Sequence, residues 1–190
     1  RMGETPPSVA PEQRLRVQAA LLGWYSARRR NLPWRTTRDP YCIWVSEIML
    51  QQTRVQSVIG YYERWIRRFP SVQTLAAAET DDVLRAWEGL GYYSRARNLQ
   101  RAAQQIVAEH GGSLPQTIDQ LLELPGIGPY SAGAIASIAS EQDEPVVDGN
   151  VIRVLTRLFA LAGNPRRGPL AGWLWQLARE LLPAGNAGDF

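Results

Sequence analysis

The stretch LPGIGPYSAGAIASIA, Leu124 to Ala139, packs two prolines and two glycines into Leu124–Pro129 and then runs into a helix of small residues. Gly126 and Gly128 flank Ile127 between two helical patterns, so the backbone is free to turn tightly and to come close to a ligand. The helix that follows offers N–H groups and the positive end of its dipole, which together make a seat for an anion such as a phosphate. Main-chain donors would hold that phosphate without reading any sequence. Pro129 falls in the first helical turn, where its missing N–H costs nothing, and Ala132, Gly133, Ala134 and Ala136 let the helix lie close against a neighbour. Taken alone, the spacing also fits a plain corner between two helices.

Outward from this corner the chain reads as helix after helix. Val58, Tyr62, Trp65, Ile66 and Phe69 recur at steps of four, three, one and three and mark one helical face. Similar patterns cover about 11–29, 42–53, 81–89, 94–110, 117–123, 130–140, 150–162 and 171–182, and no alternating strand pattern interrupts them. Thr80 followed by Asp81 and Asp82 marks a helix start, and Gly111-Gly112 ends the helix that carries His110. An all-α fold with short connections is the expectation. Residues 1–10, RMGETPPSVA, read as a disordered segment.

Composition narrows the function. The 190 residues are 45% hydrophobic, enough for a real core, yet no eighteen-residue apolar run appears, which argues against a membrane span and a secretory signal. All 21 basic residues are Arg and none is Lys; the net charge is +3 and the pI about 9.3. Arginine forks suit phosphate, so a polyanionic partner fits, although genome composition would give the same usage. Cys42 and His110 are single, which leaves no internal disulfide and no side-chain metal site.

Five blocks carry a resemblance. LPGIGPYSAGAIASIA followed by VVDGNVIRV (Val146–Val154) resembles the helix-hairpin-helix and Gly/Pro-Asp loop of the DNA glycosylase superfamily. With LPWR (Leu32–Arg35), WVSEIMLQQTRV (Trp44–Val55) and GLGYYSRARNL (Gly89–Leu99), the chain resembles the MutY-type adenine DNA glycosylases over about residues 14–190. The resemblance implies a helix-hairpin-helix glycosylase fold of two helical lobes with the active site in the cleft between them. Residues 11–40 and 141–190 would form one lobe, and 41–140 the other, with the hairpin at 117–140.

Breaking an N-glycosidic bond needs a proton for the departing base and a negative group near the cationic sugar. Glu47 lies among Trp44, Val45, Ile48, Met49 and Leu50, where desolvation would raise its pKa; an exposed Glu on an amphipathic helix is the plainer reading of its flanks. The resemblance gives Glu47 the protonation of adenine N7 and later the activation of water. Asp148 matches the superfamily's Asp, which stays negative near a helix N-terminus and screens or attacks the oxocarbenium ion; capping that helix is compatible with this role. Asn150 and Tyr130 resemble the residues that orient Asp148 and the reacting sugar. Bifunctional relatives resembling endonuclease III carry a Lys at the position of Tyr130, so this chain is expected to excise a base without an efficient strand-cutting step.

A stacked base must be swung out of the duplex, and something must brace the gap. The resemblance assigns Gln52 and Tyr92 to insertion, Leu90 and Thr53 to the neighbourhood of the opposing lesion, Trp34 and Arg35 to the adenine pocket, and Leu50, Gly126, Ile127 and Gly128 to substrate or DNA contact. On their own, Tyr92 and Tyr93 would equally be packing aromatics, and Arg95, Arg97 and Arg101 would be either phosphate contacts or a solvated face. Double-stranded DNA with adenine opposite 8-oxoguanine or guanine is the expected partner of a monomeric, cytoplasmic, DNA-associated protein, nuclear or mitochondrial in a eukaryote. Full-length relatives continue into a four-cysteine 4Fe-4S loop whose cysteines are absent here, so the sequence reads as a cut fragment or a cluster-lacking variant, with no cofactor bound by its side chains. A thymine or other mismatch glycosylase, and a DNA-binding fragment without chemistry, remain as alternatives.

Overall fold

The computed structural model describes residues 7–165 and 167–190. Among the described residues the regular structure is entirely helical: α1 (Pro11–Arg28), α2 (Pro40–Leu50), α3 (Val55–Arg68), α4 (Val72–Ala76), α5 (Thr80–Trp87), α6 (Ser94–Glu109), α7 (Ile118–Leu122), α8 (Pro129–Ser140), α9 (Gly149–Leu158) and α10 (Pro169–Leu181), with a 3-10 turn at Pro33–Arg35. The all-α expectation holds. None of these helices is long and apolar enough to cross a membrane.

Departures from the expected boundaries have local causes. α4 has too few residues for a periodic pattern; a reciprocal cap fixes it, with Ser71 Oγ accepting from the Thr74 N–H at 3.2 Å and Thr74 Oγ1 accepting from the Ser71 N–H at 3.0 Å. α2 stops at Leu50 because Gln52 turns to a left-handed φ of 56°, and α9 stops at Leu158 before Ala160 does the same at 50°.

The chain divides into two compact units, residues 30–140 and residues 1–29 with 141–190. The first is built on α2, whose residues Ile43 to Met49 are all buried, as expected of a helix apolar around its whole circumference. Asp39 starts this helix by accepting from the N–H groups of Tyr41 and Cys42 at 2.8 and 3.1 Å, with Pro40 at its first position. α2 packs against α3 and α8, and α6 lies against α4 and α5. Trp65 sits edge-on to both Phe69 (4.9 Å) and Trp87 (5.4 Å) in the middle of this core. The sequence grouped residues 30–40 with the terminal segments, but Leu32 and Trp34 are buried in this larger core, Trp34 edge-on to Tyr62 at 5.4 Å.

The second unit holds α1, α9 and α10. Leu170, Leu174, Leu177, Ala178 and Leu181 form one stripe of α10 and pack with Leu155 of α9. Of the segment expected to lack order, residues 1–6 lie outside the described residues. Val9 is tied down instead: it packs against this small core, and its N–H donates to Glu180 Oε2 at 3.1 Å.

Candidate functional site

The corner between α7 and α8 is closed by the Ile127 N–H donating to the Leu124 carbonyl at 3.2 Å. Its two glycines differ in kind. Gly126 has φ +81° and faces Asn98 of α6, so both its conformation and its surroundings exclude a side chain. Gly128 has an ordinary φ and nothing within 4 Å of where a side chain would start, so no protein contact demands a glycine there. Its carbonyl accepts from the Ala132 N–H at 2.9 Å and starts α8. Ile127, expected at the ligand, points inward and is buried, anchoring the corner to the large core. Residues Ser131 to Ser137 of α8 are buried, which their small side chains permit, and Gln51 Nε2 donates to Ser131 Oγ at 3.2 Å, joining the end of α2 to the start of α8. A cavity of about 230 Å³ opens beside this joint, lined by Trp44, Gln51, Asn98 and Gly126 among others. Tyr130 is half-buried at the second position of α8.

Glu47 is 8% exposed, the single carboxylate among the buried polar residues of the described chain. It sits on α2 among Trp44, Val45, Ile48 and Met49, all buried, so the buried reading of its flanks is the one the structure adopts. Of the expected adenine-pocket pair, Trp34 is buried and Arg35 is exposed, with Arg35 Nη1 donating to the Arg30 carbonyl at 3.4 Å.

The turn after α2 and the loop after α5 carry the four residues expected at the duplex interior. Gln52 is exposed with φ 56°, and Tyr92 is 64% exposed with φ 48°. Thr53 is half-buried and Leu50 likewise. Leu90 departs from the expectation: it is 7% exposed and belongs to the large core. What joins the two segments is Arg95, which the sequence left between a phosphate contact and a solvated face. It is neither. Its side chain is buried; Nη1 donates to the carbonyls of Ile48, Met49 and Gln51, and Nη2 to Thr53 Oγ1 and the carbonyls of Leu90 and Gly91. Burial lowers the guanidinium pKa below its ordinary value. The signal was present in the sequence: Arg95, Leu99, Ala102, Ala103 and Ile106 share the apolar stripe of α6, whereas Arg97 and Arg101 lie off it and are exposed.

In the other unit Asp148 is the N-cap of α9. Its Oδ1 accepts from the N–H groups of Asn150 (2.9 Å) and Val151 (2.7 Å), and its Oδ2 from Asn150 Nδ2 at 3.0 Å. Asn150 Oδ1 in turn accepts from Arg153 Nη2 at 2.9 Å, which fixes the amide orientation. The result is a half-buried carboxylate capping the positive end of a helix dipole, with three N–H groups directed at it. With one cysteine in the whole sequence, the chain has no donor set for a four-thiolate iron–sulfur cluster, and the described residues hold no group of three or more His, Cys, Asp or Glu side chains placed to take a metal ion.

Residues 45–180 match the HhH-GPD superfamily of base excision DNA repair proteins. The chain is 49% identical over 179 residues to an adenine DNA glycosylase of Rattus norvegicus, with 90% of this chain and 35% of that protein covered. It is 47% identical over 182 residues to the adenine DNA glycosylase of Homo sapiens, covering 91% and 33% of the two chains. An adenine DNA glycosylase of Buchnera aphidicola is 40% identical over 171 residues, 90% of this chain and 49% of that one. The chain thus spans about a third to a half of the length of these relatives. Among solved structures, a thermostable thymine-DNA glycosylase superposes with TM-score 0.86 at 28% identity, covering 94% of this chain and 82% of that one. An endonuclease III–DNA covalent intermediate superposes at 0.78 with 18% identity, covering 96% and 84%, a likeness of fold.

Proposed function

Because the chain belongs to the HhH-GPD superfamily of base excision DNA repair proteins, we propose that it is a monofunctional adenine DNA glycosylase. It would hydrolyse the N-glycosidic bond of adenine mispaired with 8-oxoguanine or guanine in double-stranded DNA and leave an abasic site. Identity of 40–49% to adenine DNA glycosylases over nine-tenths of the chain supports adenine as the base.

The observation that carries the chemistry is the Asp148 carboxylate, held by three N–H donors on the N-terminus of α9. A carboxylate fixed in place by these donors suits a developing oxocarbenium ion, whose positive charge it would offset in place of solvent. Glu47, buried on an apolar helix, suits the complementary task. In the proposed reaction Glu47 gives its proton to adenine N7, the C1′–N9 bond breaks with its electrons leaving on adenine, and water adds to C1′ as Glu47 recovers a proton. No step needs an amine nucleophile, in keeping with a sequence that contains no Lys.

The phosphate backbone would be held by main-chain groups at the Gly126–Gly128 corner, where the open space at Gly128 supports close approach of an outside partner. Single-turnover release of adenine from a duplex carrying adenine opposite 8-oxoguanine, and opposite guanine, tests the reading. Release should be abolished by Glu47→Gln, and borohydride should trap no stoichiometric adduct. Thymine release would assign the chain to a different base, and binding without release would remove the catalytic reading.

A further inference from the structure

We propose that Arg95 is a positioning residue: its guanidinium holds the turn bearing Gln52 and the loop bearing Tyr92 at a fixed separation, so that both enter a duplex as one preformed wedge. The inference rests on the reading of the chain as a DNA glycosylase and deepens it.

Three observations meet at this side chain. In the unit of residues 30–140, the described non-glycine residues with left-handed backbone are Gln52 and Tyr92, each a conformation costing about 1 kcal/mol or more that persists only where the surroundings fix it. Arg95 brackets both. It binds the Gln51 carbonyl and Thr53 Oγ1 on either side of Gln52, and the Leu90 and Gly91 carbonyls immediately before Tyr92. Its guanidinium carbon also lies 5.6 Å from the centre of the Tyr92 ring and 5.2 Å from the Trp87 ring, so the base of Tyr92 is steadied from beneath.

A brace serving only the core would tie buried elements together. Here two bonds anchor the guanidinium to the Ile48 and Met49 carbonyls of the buried helix α2, and the other four end on two segments whose outermost side chains, Gln52 and Tyr92, project into solvent. Burying a guanidinium is costly unless its donors are used; both terminal nitrogens are, while Nε is buried without a hydrogen-bond partner. Only a planar fork reaches two loops from one stem; the compact ammonium of Lys cannot do so, although it keeps the charge.

The test is Arg95→Lys, checked for folding by circular dichroism and thermal melting. Base opening is read by the fluorescence of 2-aminopurine in the target position, and affinity is measured for that duplex and for one with an abasic site, where no base has to be displaced. Opening should fall about tenfold while affinity for the abasic duplex falls no more than about threefold. An equal loss on both duplexes, or undiminished opening, would overturn the inference. Should Arg95→Lys fail to fold, the cycle of Gln52→Ala and Tyr92→Ala in the parent chain decides: effects on opening that differ from additivity by about tenfold support a single wedge, and additive effects overturn it. A parent chain that opens no base fails at the proposed function itself, which separates the two failures.

Discussion

The Cβ of Asn98 lies 2.9 Å from the point where a side chain at Gly126 would begin. One helix of the large unit thus dictates the residue at the middle of the hairpin, and the φ of +81° there dictates it a second time. Gly126→Ala is expected to destabilise the protein by about 1–3 kcal/mol, visible as a lowered Tm even without DNA. An unchanged Tm would show that α6 yields at Asn98.

Gly128→Ala should separate binding from stability. With open space around it and an ordinary φ, alanine there is expected to leave the Tm unchanged or raise stability by about 0.4–1 kcal/mol. The added methyl group would instead stand between a phosphate and the backbone. Binding to every duplex should weaken alike, by about tenfold, with no change in sequence preference. Titration of two unrelated duplexes by fluorescence anisotropy checks this.

Asp148→Asn divides capping from charge. Asparagine caps helices about as well as aspartate, so unfolding stability should change by less than about 0.5 kcal/mol. Loss of the fixed anion should lower the single-turnover rate of adenine release by about 10²–10³-fold. A rate that follows stability instead would leave Asp148 as a cap alone.

Leu90→Ala is expected to act through the core. Its side chain is packed with the Trp87 cluster, so truncation should cost about 2–4 kcal/mol and lower the Tm before any DNA is added. A surface contact would have left the melting curve where it was.

Much of the helical order could be read directly. Val58, Tyr62 and Trp65 are buried on one face of α3, with Ile66 partly buried and Phe69 buried just past its end, and Pro129 opens α8 at the position where proline is tolerated. Direction within loops could not be read, because a loop has no period: Leu90 turns inward although nearby Tyr92 is exposed, and Ile127 turns inward beside half-buried Gly128. Arg95 was obscured for a different reason. Charge normally places a residue outside, and here six acceptors, four of them supplied by the distant residues 48–53, outweigh that tendency, a balance that depends on tertiary structure. Glu47 was legible only in part: its flanks read more plainly as those of an exposed Glu, and its burial follows from α3 and α8 packing against α2.

Five of the six acceptors around Arg95 are peptide carbonyls, and every residue type supplies one. The brace is therefore largely indifferent to the identities of the residues it grips. A side chain at position 52 or 92 can be exchanged for another that tolerates left-handed backbone without removing any acceptor of the brace.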